Sequence, residues 1–300
     1  MEARPMSEPH SNILVVGAAG HFAGLVVPAL ASRGARVRGL VRNEKQGDLA
    51  RQGGAAEVAV GDIRDRASLD AALRGMDAAF YISPVYQRDE AGMGQSFVAA
   101  AKAAGVRRIV FSSVIHPVIG ALQNHIQKVP VEEALVESGM EFTILHPAVF
   151  YQNLVAAWPA VAKTGVFAEP FSAAARISRV DYRDVAEVAA VALTGNRLLN
   201  GTFELCADDG MDRGEVAAAM GEVLKRPIEA AAPDFDAWAA QAKLPYDDHQ
   251  KEELKAMYDF YDRYGLVGNA LTLPMVLGRE PRSIQQFFAD LAAGTKTTAG

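Results

Sequence analysis

In the stretch NHIQK, residues 124 to 128, a histidine and a lysine stand three positions apart. On a helix that spacing puts both side chains on one face. A histidine delivers protons near neutrality, and a lysine does so when burial lowers its pKa. His125 and Lys128 are therefore expected to serve an acid–base step. His116, in SVIHP, follows an apolar strand pattern and is expected to face a substrate. A second arrangement, in which a lysine lowers the pKa of a tyrosine four residues before it, is absent. None of the eight tyrosines is followed by lysine at that distance, and the position in question before Lys128 is Asn124. Asp181 and Asp184, in VDYRDVA, fall at a strand-to-helix turn, where capping is the expected work of a carboxylate. His249 has no histidine nearby, and His116 and His125 lack the i, i+4 spacing, so no metal site is expected.

These groups need a frame, and its clearest piece is ILVVGAAGHFAGLVVPAL, residues 13 to 30. Gly17, Gly20, His21, Gly24 and Pro28 interrupt the run, which argues against a membrane helix. The preceding MEARPMSEPHSN balances Arg4 against Glu2 and Glu8, unlike the positive start of a secretion signal. Ile13 to Val16 reads as a buried parallel strand, and Phe22, Leu25, Val26, Ala29 and Leu30 form one face of a helix from His21 to Ser32. A strand follows from Val37 to Val41. Between strand and helix, Gly17 to Gly24 has the spacing G-x-x-G-x-x-A. A glycine turn admits a pyrophosphate close to the backbone, and the helix N-terminus offers free N–H groups. Gly17, Ala19, Gly20, His21 and Phe22 are the residues expected to hold it. The second strand ends GLVRNEK without an acid, so Arg42 and Lys45 are expected to meet a 2′-phosphate, which favours NADP(H) over NAD(H).

Strand and helix patterns then alternate. Strands are expected at Val58–Asp62, Met76–Ser83, Arg108–Ser113, Gly139–Pro147 and Gly201–Leu205, with helices at Asp65–Gly75, Gln95–Gly105, Val131–Ser138 and Arg183–Thr194. The fold class is α/β: a Rossmann, doubly wound parallel sheet with a smaller C-terminal α+β lobe. A frayed leader at 1–11 precedes a core at 12–153, to which 178–205 returns. The segments 154–177 and 206–293 form the lobe, and 294–300 a frayed tail. The second half is rich in aromatic residues, and Tyr86, Tyr151 and Trp158 are expected to line an acceptor pocket there. Arg107 and Arg108 read as a solvated helix-to-strand corner.

A net charge of −6, without a Lys/Arg-rich run, offers no footprint for nucleic acid. The single cysteine, Cys206, ends the strand pattern TFELC and reads as core. It can form no internal disulfide, which fits a reducing, cytoplasmic setting. The expected partner is a small hydrophobic substrate, with no membrane. The helix patterns at 95–105 and 131–138 leave room for a homodimer.

Taken in order, VVGAAGHFAG, LVRN, Gly61-Asp62, FSSV, Lys128 with EEAL, FTILHP with Gln152-Asn153, DYRDVA and GREPR make the chain resemble the NmrA-like group of atypical short-chain dehydrogenases/reductases. The resemblance covers nearly the whole chain. It implies NADP(H) bound at the glycine turn, with Arg42 on the 2′-phosphate and Asp62-Ile63 near the adenine. It also implies that Ile82, Ser83 and Pro84, with residues 150–153 beginning at Phe150, flank the nicotinamide half, and that Lys128 touches the nicotinamide ribose and, as in the reductase members, takes part in proton transfer. Ala23 departs from the family's usual third glycine. Two functions are consistent with it: an NADPH-dependent reductase of a hydrophobic carbonyl, quinone or activated alkene, and a non-catalytic NADP(H)-sensing regulator. The aromatic C-terminal half favours the reductase.

Overall fold

A computed structural model describes residues 12–84, 86–294 and 297–298. The expected leader at 1–11 lies outside them. The first half runs β1 (Asn12–Val16), α1 (Ala23–Ala31), β2 (Arg36–Val41), α2 (Glu44–Gln52), β3 (Glu57–Val60), α3 (Arg66–Leu73), β4 (Ala78–Ile82), α4 (Glu90–Ala103), β5 (Arg108–Ser112), α5 (Gln123–Ile126), α6 (Val129–Glu137) and β6 (Glu141–Pro147). The second half continues with β7 (Val149–Phe150), a 3-10 turn (Tyr151–Leu154), α7 (Trp158–Thr164), β8 (Val166–Ala168), β9 (Arg179–Val180), α8 (Tyr182–Thr194) and β10 (Gly201–Leu205). It ends with α9 (Arg213–Leu224), β11 (Glu229–Ala231), α10 (Phe235–Ala242), α11 (Asp248–Tyr264), α12 (Thr272–Leu277) and α13 (Ile284–Ala292).

Seven strands form one parallel sheet in the order β10-β6-β5-β4-β1-β2-β3. The strand order reverses between β1 and β4, which is where an open α/β sheet forms its ligand crevice. The uninterrupted apolar run of β1 follows from burial on both faces. Ile13 and Val15 pack on one side with Val26, Leu30 and Val185 from α1 and α8. Leu14 and Val16 pack on the other with Leu69, Phe97 and Leu135 from α3, α4 and α6. Each large apolar side chain buried this way contributes about 2 kcal/mol. Among the described residues no helix is long and apolar enough to cross a membrane.

Local chemistry sets the helix boundaries. Asp65, Asp181 and Ser283 cap α3, α8 and α13, each accepting a backbone N–H from the first turn of its helix. Helix α4 begins at Glu90, five residues before the expected start, because Asp89 caps it by accepting from Gly92 N. Helix α2 carries no apolar stripe, only Gly47 and Ala50 being buried, so periodicity does not reveal it. Its signal is the Asn43 cap with Gln46 on the first turn.

Arg108 is not a solvated corner. Its side chain is fully buried at the start of β5, where it pairs with Glu141 at 2.8 Å and donates to Ala192 O at 2.9 Å and Asn196 Oδ1 at 2.9 Å. It joins β5, β6 and the end of α8; an arginine is buried only where its fork finds such partners. At the other end of the chain Thr297 is buried and its carbonyl accepts from Gln152 Nε2, where a frayed tail was expected.

In the second half, aromatic rings meet one another within mixed apolar clusters. Tyr151 and Trp158 meet Phe287 and Phe288 within the cluster of α7, α9 and α13. Phe171 stacks on Tyr258 at 5.5 Å, and Trp238 meets Tyr258 edge-on at 5.4 Å. A smaller cluster of Tyr86, Phe235 and Leu254 joins α10 and α11 to the loop after β4.

Candidate functional site

The turn after β1 is built around Gly17, whose φ of +70° is a conformation that L side chains adopt at a cost. Gly17 N and Ala18 N both donate to Leu40 O, at 3.0 and 3.3 Å, which ties the turn to β2. Gly20 N then closes on Gly17 O at 2.7 Å. The amides of Ala19, His21 and Phe22 have no backbone partner among the described residues. Helix α1 follows with Phe22 at its cap position, no side-chain cap and no acid in its first turn. An uncapped helix start beside free amides suits an anion, and the positive end of the helix dipole adds to it. This arrangement fits a pyrophosphate.

Arg42 and Lys45 are exposed at the head of α2, and Arg42 is positioned by its own N–H, which donates to Gln46 Oε1 at 2.9 Å. Asp62 follows β3. Its carboxylate accepts Arg64 N at 2.9 Å, and Arg64 holds it below the usual carboxylate range, with Arg42 adding to the effect. Ile63 beside it is half-buried. Arg42, Lys45, Asp62 and Ile63 thus share the β2–β3 end of the strand edge, the side expected to meet adenosine.

Across the crevice, Ile82, Ser83 and Pro84 leave the end of β4, with the Ser83 hydroxyl 3.3 Å from that of Tyr81. Lys128 lies at the head of α6 and is buried. Its Nζ pairs with the Glu90 carboxylate of α4 and donates to Asn124 O at 2.9 Å. Burial pushes the Glu90 carboxyl up, against the opposing pull of Lys128. An ammonium has three donors, so one is left for a ligand. Phe150 meets Phe22 at 4.6 Å and Tyr182 at 4.7 Å, and the Tyr182 hydroxyl reaches Ser112 Oγ at 3.1 Å. The aromatic wall at the middle of the crevice therefore joins the phosphate turn to β7.

Several expected roles do not survive the packing. His125 is buried, its Nδ1–H donates to His116 O at 3.2 Å, and burial lowers its pKa to about 4. At neutral pH it is an uncharged structural imidazole and not an acid. His116, at φ +49°, bonds through Nε2 to Val267 O at 2.8 Å, which joins the loop after β5 to the C-terminal segment. Tyr151 and Trp158 pack against the rings of α13. A 3-10 turn begins at Tyr151, whose ring meets Phe287, and Trp158 lies flat on Phe288 at 5.4 Å. Burial pushes the Tyr151 hydroxyl well up as well. Tyr86 stays near the strand edge, buried under α11, with its hydroxyl 3.6 Å from Met257 Sδ and its ring edge-on to Tyr246 at 5.7 Å.

Three groups at the site escaped sequence reasoning. Glu90 is 38 residues from its partner and marked only by the helix start at Asp89. Glu132 accepts from Ser113 Oγ at 2.5 Å and from His146 Nε2 at 2.8 Å, which uses three strand-end and helix residues for structure. Glu253 of α11 is partly buried, and that burial raises its pKa; it faces His249, Arg88 and Lys128. Asp181 caps α8, and Asp184 receives Arg279, Arg282 and the Arg282 N–H, so neither is an acid–base pair.

The model of the NmrA-like family matches residues 9–291. An NAD(P)H azoreductase of Xenophilus azovorans is 31% identical over 287 residues, covering 92% of this chain and 96% of that protein. Quinone oxidoreductase 2 of Escherichia coli is 26% identical, covering 93% and 98%. The crystal structure of the Citrobacter sp. triphenylmethane reductase complexed with NADP(H) superposes with a TM-score of 0.82 at 21% identity, covering 93% and 99%. A motif order spanning nearly every strand end, a parallel sheet in the order β3-β2-β1-β4-β5-β6-β10 and full-length likeness lead to one statement: the chain belongs to the NmrA-like family.

Proposed function

We infer that this chain is an NAD(P)H-dependent oxidoreductase, and we propose that it uses NADPH to reduce an electron-poor hydrophobic acceptor such as a quinone, carbonyl or activated alkene. The observation that carries this reading is Lys128: buried at the head of α6, its Nζ is held by Glu90 and Asn124 O, with a third donor remaining for a ligand. The names of the full-length relatives, an azoreductase and a quinone oxidoreductase, support the same class of acceptor.

The turn amides of Ala19, His21 and Phe22, with the start of α1, would hold the pyrophosphate, and Arg42 and Lys45 the 2′-phosphate. Ile82, Ser83, Pro84 and Phe150 would flank the nicotinamide, which when bound in reduced form supplies the hydride. The protein's own work is orientation and electrostatics. Lys128 points a charge-assisted donor at the oxygen that gains negative charge in the acceptor. Phe22 and Phe150 form an apolar wall, and Tyr86 with Met257 closes the opposite side and limits water. With no tyrosine set before a lysine and His125 neutral, the site lacks a strong dedicated acid. A quinone is the acceptor least harmed by that lack, because its reduced form is a stable phenolate that solvent can protonate.

The test is a panel. Purified protein is mixed with NADPH or NADH, then with quinones, azo dyes, aldehydes and enones, and the loss of reduced-cofactor absorbance is followed. Fast NADPH consumption with quinones, slower consumption with aldehydes and a preference over NADH are expected. Tight NADPH binding with no consumption across the panel would reject the reductase and favour an NADP(H)-sensing protein.

A further inference from the structure

Lys128 is not simply a lysine that faces the crevice. Its ammonium is wedged between two helices, at a place where the chain has made room. Gly94 lies on α4 one turn beyond Glu90, and Val131 lies on α6 three residues beyond Lys128. A β-carbon on Gly94 would overlap the methyl groups of Val131. The two helices therefore approach more closely than side chains usually permit, and that approach brings Glu90 to Lys128. Both side chains are buried, Glu90 almost completely, and the Glu90 carboxylate takes one donor of Nζ while Asn124 O takes another.

A long lysine side chain has many rotamers, and water would hydrate a free ammonium. Two fixed acceptors on one side leave its remaining N–H pointing away from them. We propose that Glu90 is the positioning residue for Lys128: its carboxylate fixes the ammonium so that a single N–H is presented to the acceptor oxygen or the nicotinamide ribose. Glu90 itself touches neither. The other charged or titratable groups facing this pair are Glu253 from α11, His125 from α5, Tyr81 from β4 and Tyr86 from the following loop. Glu253 is a second acid near the pair and is itself faced by His249 and Arg88. Its attraction for Lys128 acts in the same sense as that of Glu90, but only Glu90 makes a direct contact with Nζ.

The activity arm of this inference rests on the reductase reading, so its test has a second readout. Glu90→Gln keeps the shape and one acceptor but removes the charge; Glu90→Asp keeps the charge on a shorter arm. In quinone reduction, Glu90→Gln is expected to lower kcat about tenfold or more, with the NADPH Kd changed by less than about threefold. Its kcat-against-pH profile should change shape, with a limb displaced from that of wild type, because the substitution removes the carboxyl that Nζ contacts. Glu90→Asp should recover part of the rate and most of the pH profile. A Glu90→Gln profile with unchanged shape, merely scaled, would overturn the positioning role, since a packing defect lowers the active fraction without moving a limb. Independently of turnover, 15N-lysine NMR of the wild-type protein should show the Lys128 ammonium as a slowly exchanging signal at pH 8. A neutral or freely exchanging amine there would overturn the proposal even if Glu90→Gln failed to fold. If no acceptor is reduced at all but the protected ammonium is present, the reductase reading fails and the pairing of Glu90 with Lys128 stands.

Discussion

The strand edge of the sheet and the C-terminal half use their side chains in opposite ways. Along the edge, Arg42 and Lys45 stand exposed and the turn at Gly17 to Phe22 leaves amides without backbone partners. In the C-terminal half, Tyr151, Trp158, Phe171 and Tyr258 spend their surface on one another and on Phe287 and Phe288. The edge is arranged to be completed by a ligand, whereas these aromatic rings already cover one another. An abundance of aromatic residues therefore signals packing at least as readily as a pocket, and only Tyr86 of the three expected acceptor residues stays beside the edge.

That contrast can be broken by exchanging the kinds of damage. Phe287→Ala removes a fully buried ring that supports Tyr151 and Phe288. It should cost about 3–5 kcal/mol of stability. The rate per folded molecule should stay near that of wild type. Denaturant unfolding and activity normalised to the folded fraction check both halves of the statement.

His125 provides a pH test with a fixed sign. Its pKa is about 4 in the folded protein, below the ordinary value of 6.5. The unfolded chain therefore binds more protons between those values, and stability is full above pH 6.5 and falls as pH drops toward 4. The loss is of order 3 kcal/mol for a shift of this size. His125→Asn retains a donor for His116 O but does not titrate, so its unfolding midpoint should change much less between pH 7 and 4.5. Equal acid sensitivity in the two proteins would show that His125 is not held neutral by burial.

At the edge, Arg42→Ala should weaken NADPH by about 10- to 100-fold, the value of a charge-assisted contact, and leave NADH binding nearly unchanged. Isothermal titration with both cofactors reads the difference; parallel losses would remove the 2′-phosphate role. The smallest effect is expected from Tyr151→Phe. Its ring packs while its hydroxyl lies far from the acceptor, so the Michaelis constants for acceptors should stay within about twofold.

The fold was largely legible because its signals are local. A parallel strand buried on both faces must be apolar throughout, and a phosphate turn must put glycine where φ is positive, so β1 and Gly17 announce themselves. Capping carboxylates at Asp65 and Asp181 were equally local. Helix α2 was hidden because an exposed helix needs no apolar stripe. Arg108 was misjudged because its partners, Glu141, Ala192 and Asn196, come from distant parts of the chain. The candidate site divides the same way. Its phosphate side is a motif. The surroundings of Lys128 are a meeting of α4, α5, α6 and α11, and spacing within NHIQK could not tell that His125 turns inward to His116 O while Lys128 turns to Glu90.

Lys128 is where the account is most exposed. The deciding measurement is the rate of NADPH oxidation at saturating quinone for wild type and Lys128→Ala, with cofactor affinity taken from NADPH fluorescence on the same samples. The wild type should consume NADPH. Lys128→Ala should be slower by about 100-fold or more, the usual scale for losing a positioned proton or oxyanion donor, while its NADPH Kd changes less than about tenfold. Equal rates in the two proteins, or a wild type that binds NADPH and consumes none, would contradict the account.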